Sequence, residues 1–202
     1  TKVPAYGFAQ QDHPTYAPAS WSVEEIKRID IALGNLHQHV GNTRLLKTAA
    51  GDEMWFRRLG TVVSGYTDFG GFNGGDRIDM TEFGLSSLNS LLVMVYHEIG
   101  HNWDDPSENA RASAFRTISG WREQSTSPGT NYVASTGDGD NWWHLNTATF
   151  AWDYGRTNPL EDYATTFETY FMNQYHGTTM GNTIVQGKHN NLELLFNDLR
   201  TA

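Results

Sequence analysis

The strongest constraint on this chain is a helix-spaced apolar stripe that carries two histidines and a glutamate off its side. Leu88, Leu92, Val95, Ile99 and Trp103 recur every three or four residues, the period at which one helix face meets a core. His97 and His101 stand at i and i+4 and so share a face, with Glu98 beside the first. Ser86 or Ser87 is placed to cap the start, and the helix is expected to run to about Asn102. A plainer reading of the same residues is a pair of surface or core histidines next to a solvated glutamate.

Around this helix the pattern alternates between classes. Ser22 and Glu25 form a capping box, and Ile26, Ile29, Leu33, Leu36 and Val40 predict a first helix at about 23–40, ended near Gly41-Asn42. Trp55 to Val63 is rich in aromatic and β-branched residues and reads as strand. The segment 65–75 holds five glycines and reads as a loop, either a flap by a cleft or a floppy connection. Arg77 to Met80 alternates like a strand. Ser107-Glu108 is expected to open a helix reaching about Gln124. Residues 125–147 read as a long loop, Pro159 opens a helix over 160–175, and Leu192 to Leu199 suggests a last short one. Residues 1–19, with Pro4, Pro14 and Pro18, read as an irregular N-terminal arm. The order predicts one α+β domain in two lobes, at about 20–105 and 106–202, the second mostly helical.

Composition narrows the partners. The 202 residues are 38% hydrophobic and 13% aromatic, enough apolar bulk for a core rather than disorder. The longest apolar run, Leu91 to Tyr96, is far too short to span a membrane. A formal charge of −9 opposes nucleic acid and would attract a basic peptide or simply confer solubility. There are no cysteines, so any metal must use histidine and carboxylate. The chain begins with Thr1, not Met, consistent with processing or trimming, and no signal peptide is visible.

The motif helix suggests metal chemistry. Two imidazoles on one face can reach one ion, and zinc takes nitrogen ligands at about 2.0–2.1 Å. Glu98 lies where it could take a proton from a zinc-activated water. No third histidine follows at short range, since positions 104 and 107 are Asp104 and Ser107. The best remaining ligand is a carboxylate from a downstream helix, and Glu161 in Asn158-Pro159-Leu160-Glu161 is the first choice. The same residue also reads as a first-turn carboxylate favoured by the helix dipole. Other features are weaker. Asp138-Gly139-Asp140-Asn141 is a fragment of a calcium loop without its closing glutamate. Trp142, Trp143 and Trp152 would line a groove or pack in a core. His37 and His39 face apart, and His144 could contact a substrate.

The stretch Tyr154-Gly155-Arg156-Thr157-Asn158-Pro159-Leu160-Glu161-Asp162-Tyr163-Ala164 resembles the C-terminal motif of the anthrax lethal factor family, which includes the Pro-Pro endopeptidases. In that family a tyrosine precedes the ligand glutamate by seven residues, as Tyr154 precedes Glu161 here. The pair Asp104-Asp105 after His97-Glu98-Ile99-Gly100-His101 is similarly placed. The resemblance covers chiefly 97–105 and 154–168. It implies a zincin-like, gluzincin-type catalytic domain with one catalytic Zn2+ held by His97, His101 and Glu161. It further implies Glu98 as base and proton shuttle, and Tyr154 as donor to the developing oxyanion. One departure stands out: relatives often carry a second glutamate one turn after the ligand, where this chain has Thr165 and Thr166. Glu168, Asp104 or a backbone carbonyl would have to orient a ligand imidazole instead.

The expectation is therefore a secreted, monomeric zinc endopeptidase acting on an extended polypeptide that lies along a sheet edge near Arg77 to Met80. Two alternatives belong to other classes. One is an inactive zincin-like module that binds a protein or glycan. The other is a structural zinc module, which would need a fourth protein ligand.

Overall fold

The computed structural model describes residues 7–9, 15–63, 69–137, 141–181 and 185–201. It is a mixed α+β fold with five helices and two small sheets among those residues. The chain runs β1 (Gly7–Ala9), β2 (Tyr16–Pro18), α1 (Val23–Val40), β3 (Trp55–Val62), β4 (Gly71–Asn73), β5 (Arg77–Met80), α2 (Leu88–His101), α3 (Ala110–Ile118), β6 (Arg122–Glu123), β7 (Tyr132–Ala134), β8 (Trp142–Leu145), α4 (Pro159–His176) and α5 (Gln186–Arg200).

The helix signals are realised with their caps. Ser22 and Glu25 close the expected box on α1, and Gly41 ends it with a left-handed φ of 74°. Ser87 caps α2 by accepting from the Ser90 amide. Asn158 caps α4, its Oδ1 accepting from the Leu160 and Glu161 amides, with Pro159 in the first turn where a missing N–H does no harm.

Several segments differ from the sequence reading. The helix expected from Ser107 to Gln124 is shorter: Ser107 bonds back to Asp105, Asn109 is the cap, and Gly120 (φ 64°) turns the chain away soon after Ile118. Arg122–Glu123 is instead strand β6. The expected loop at 125–147 contains β7 and β8, which join β6 in an antiparallel sheet of order β6-β8-β7. The N-terminal arm contributes two strands, because β1 runs parallel and β2 antiparallel to β3. The last helix starts earlier than expected, at Gln186.

In the larger sheet the order is β1-β3-β5-β4, with β2 on the far end of β3. Arg77 to Met80 is near the edge, as expected, but one strand in from it: the edge strand among the described residues is Gly71–Asn73, inside the segment read as a loop, and residues 64–68 lie outside the described ones. The pairing between β3 and β5 sets Phe56 opposite Ile78, both fully buried, and Arg57 opposite Asp79. Arg57 and Asp79 form a buried ion pair that Arg77 joins at 3.1 Å.

One hydrophobic core runs from Ile29, Leu33 and Leu36 of α1 through Leu92, Val95 and Ile99 of α2 to Phe167, Phe171 and Phe196 of α4 and α5. α2 sits at its centre. Gly100 is what lets α4 come close to α2: a Cβ there would meet Ala164 Cα and Phe167 Cβ, each at 3.1 Å. No helix among the described residues is long and apolar enough to cross a membrane.

Candidate metal centre

The last two turns of α2 carry His97, Glu98 and His101 to the floor of a cleft. Its upper wall is β4, an edge strand among the described residues; its lower wall is the first turn of α4 and the 3-10 turn Asp153–Arg156. Glu161, from the α4 first turn, meets the two histidines there. His97 Nε2 and His101 Nε2 lie 3.2 Å apart. Glu161 Oε2 is 3.1 Å from the first and 3.6 Å from the second. These three are the residues among those described that could hold a metal ion.

Two observations test whether a metal fits. First, both Nδ1 atoms are already engaged by carboxylates: His97 by Glu168 Oε2 at 2.9 Å, and His101 by Asp104 Oδ2 at 2.6 Å. That leaves the Nε2 atoms as the free ligand atoms, and they converge. Secondly, Glu161 Oε2 is a buried oxygen without a hydrogen bond, although it stands within charge contact of both imidazoles. Ligand atoms about 2.0–2.1 Å from a tetrahedral zinc lie about 3.3 Å from one another, close to the 3.1, 3.2 and 3.6 Å that separate these three.

Electrostatics agree. Burial opposes protonation of His97, yet Glu161 and then Glu168 override it and raise its pKa to about 10. His101 is likewise raised, against its burial, to about 9 by Asp104 and Glu161. Burial disfavours the Glu161 charge, but His101 and His97 hold its pKa down to about 2. Glu98 and Glu168 are pushed up, chiefly by burial. Glu161 and the carboxylates behind the two imidazoles thus favour positive charge at the cluster, which a divalent cation would supply.

Tyr154 stands over the cluster, its ring centre 6.1 Å from that of His97, and is 57% exposed. Burial of its hydroxyl and the nearby Glu161 push its pKa up to about 12, so the phenol keeps its proton.

The cleft has two unlike ends. Towards the C-terminus of α2, a cavity of about 600 Å³ is lined by polar groups that include Asn73, Asp105 and Glu108. Towards the middle of α2, a cavity of about 400 Å³ is lined by Phe69, Phe83, Val93, Met94, Trp152 and Met180. The β4 wall is pinned by Asn73, whose side-chain amide donates to the Glu98 carbonyl and to Asn102 Oδ1.

All five expected site residues come together. Of the substitutes for the missing glutamate at 165, both Glu168 and Asp104 are used, one on each imidazole, while Thr165 Oγ1 donates to the Glu161 carbonyl at 2.7 Å. His144 is not at the cleft: it is buried against Trp121 and Phe150 with Nδ1 near the Leu145 carbonyl. Of the three tryptophans only Trp152 lines the site, while Trp142 packs on Trp121 and Trp143 bonds the Gln124 carbonyl. Asp138 to Asp140 lie outside the described residues. Sequence reasoning missed Asn73 and Gly71; the only signal for either was the glycine run itself.

No protein-family model matches the chain, and neither does any curated protein or solved structure.

Proposed function

We propose that the chain is a zinc-dependent endopeptidase of the zincin-like, gluzincin type, with an upper lobe of sheet, α1 and α2 and a mostly helical lower lobe. The observation that carries this is the convergence of His97 Nε2, His101 Nε2 and the unbonded, buried Glu161 Oε2 at zinc-ligand spacing. The resemblance of 97–105 and 154–168 to the anthrax lethal factor family supports the same reading.

His97, His101 and Glu161 would hold the ion. Zinc bound there would act as a Lewis acid and bring a water toward a pKa of about 7. Glu98, 3% exposed and beside His97, accepts the proton of the attacking water and delivers it to the leaving amine. Tyr154 donates its hydroxyl proton as a hydrogen bond to the carbonyl oxygen as that oxygen becomes negative. Glu168 and Asp104 hold each imidazole so that Nε2 faces the cluster.

The sheet edge supports a polypeptide substrate. Gly70 accepts from Thr81 and Gly74 donates to Arg77, so even-numbered residues of β4 face β5. The amides and carbonyls of Gly71 and Asn73 then face away from β5, with no strand partner among the described residues, where an extended chain lying over Glu98 would pair with them.

The test is direct. Zinc-loaded protein is incubated with a mixed peptide library and the products are read by mass spectrometry, with and without a zinc chelator. Cleavage that stops with chelation is expected. A protein that binds one zinc and cleaves no peptide sinks the endopeptidase reading.

A further inference from the structure

Behind the cluster, one buried cation touches both segments that deliver the C-terminal half of the site. Lys188 of α5 is 2% exposed. Its Nζ donates to Asp162 Oδ1 at 2.5 Å and to the Thr149 carbonyl at 2.6 Å. It also lies 4.3 Å from the ring centre of Phe150, which closes it off from water on that side. Asp162 is the residue after Glu161, and its other oxygen accepts from Ser119 Oγ at 2.8 Å and Trp121 Nε1 at 2.9 Å. Thr149 opens the segment that leads through Phe150 and Trp152 to Tyr154.

The two segments also meet directly. A Cβ on Gly155, next to Tyr154, would strike Thr165 Oγ1 at 2.8 Å and reach Asp162 Cα at 3.4 Å. The tyrosine turn is thus pressed onto α4 at the residue that Lys188 grips. An ion pair this buried is a poor source of net stability, because desolvating both charges offsets their attraction. Its effect is directional: the ammonium and the carboxylate have their named partners on α3–β6, the 149 segment, α4 and α5, and fix these against one another.

We propose that Lys188 is a positioning residue for the metal centre: by holding the Thr149 carbonyl and Asp162 together, it sets where Tyr154 and Glu161 stand relative to His97 and His101. The inference rests on reading the cluster as a metal site, and not on peptide cleavage.

The test uses the full chain and cobalt(II) as the probe, because its visible absorption reports ligand geometry. In Lys188→Met the helical circular dichroism is expected to persist. Cobalt affinity should fall about ten-fold, the lower end of the range for losing a group bonded directly to a ligand, because Lys188 acts one residue further back, and the absorption bands should change shape. On any peptide the wild type cleaves, kcat should drop while KM stays close to wild type. A lower melting temperature with wild-type cobalt affinity and spectrum would mean that Lys188 only supports the fold, and overturns the proposal. If Lys188→Met does not fold, Lys188→Met/Asp162→Asn removes both charges and keeps an amide in reach of Ser119 and Trp121; the same cobalt readouts then decide. A wild type that binds no cobalt overturns both this proposal and the metal reading. A wild type that binds cobalt and cleaves nothing refutes the peptidase alone.

Discussion

Glu168 Oε2 lies 2.9 Å from His97 Nδ1, reaching the first histidine of α2 from two turns beyond Glu161 on α4. One helix thus supplies both Glu161, which faces the proposed metal position, and Glu168, which backs the imidazole of a proposed ligand. Glu168→Gln keeps the shape of the side chain and removes its charge. Zinc affinity should fall about ten- to a hundred-fold, measured by chelator competition. Unchanged affinity would reduce Glu168 to a packing residue.

Glu98 and Glu161 should separate cleanly. Glu98→Gln is expected to keep one zinc per chain and to lose about 10²- to 10⁴-fold in kcat, the contribution of a positioned base. Glu161→Ala should instead lose zinc first. If Glu98→Gln released the metal, Glu98 would have to be recast as a structural residue.

Tyr154→Phe removes one hydroxyl from an exposed ring and should leave the fold and the zinc untouched. Turnover should drop by about 10²- to 10³-fold, as for loss of an oxyanion donor, with KM nearly unchanged. Full activity would take Tyr154 out of the mechanism.

Gly71 is needed for what its missing side chain leaves open. A Cβ there would stand 2.7 Å from Glu98 Oε1 and 3.1 Å from Met94 Cε. Gly71→Ala should therefore displace the base, with zinc content preserved and kcat lowered about ten- to a hundred-fold, since small misplacements at a reacting centre are expensive. Wild-type kcat in this variant would show that Glu98 has room to spare.

Stability should decline on mild acidification through histidines outside the cluster. Burial holds His39, His144, His176 and His189 below the ordinary imidazole value of 6.5. The unfolded chain takes up these protons near 6.5, the folded chain only at lower pH. Their contribution is whole above that value and is lost as pH falls through it toward the folded values. For His39, burial outweighs the attraction of Glu193. Calorimetry of the zinc-saturated protein between pH 7.5 and 5 should show a smaller fall in melting temperature for His39→Gln than for wild type. Equal falls would mean that His39 does not titrate in this window.

The motif helix, the caps at Ser22, Ser87 and Asn158, and the first-turn position of Glu161 were all readable in the sequence, because each depends on residues within one or two turns of each other. So was the overall α+β character. The short strands of the second half were not: β6, β7 and β8 have two to four residues each and carry almost no period of their own. The strand in the glycine run was hidden for a similar reason, since glycine has no intrinsic preference for extended structure and Gly71–Asn73 is held by pairing with β5.

The sequence by itself determined which side chains share a helix face: His97 with His101, and Glu161 with Thr165 and Glu168. Local geometry suffices for that, because the helical period is set by the backbone. Only the tertiary structure decided which carboxylate backs which imidazole. Thr165 is one turn from Glu161 and bonds inward to its own helix, whereas Glu168 reaches His97 because Gly100 allows α4 to lie close against α2. A separate contact, of α5 with α4 and the 149 segment, puts the buried Lys188 on Asp162 and the Thr149 carbonyl. Contacts between residues far apart in the chain depend on helix crossing and sheet order, which no short-range pattern encodes.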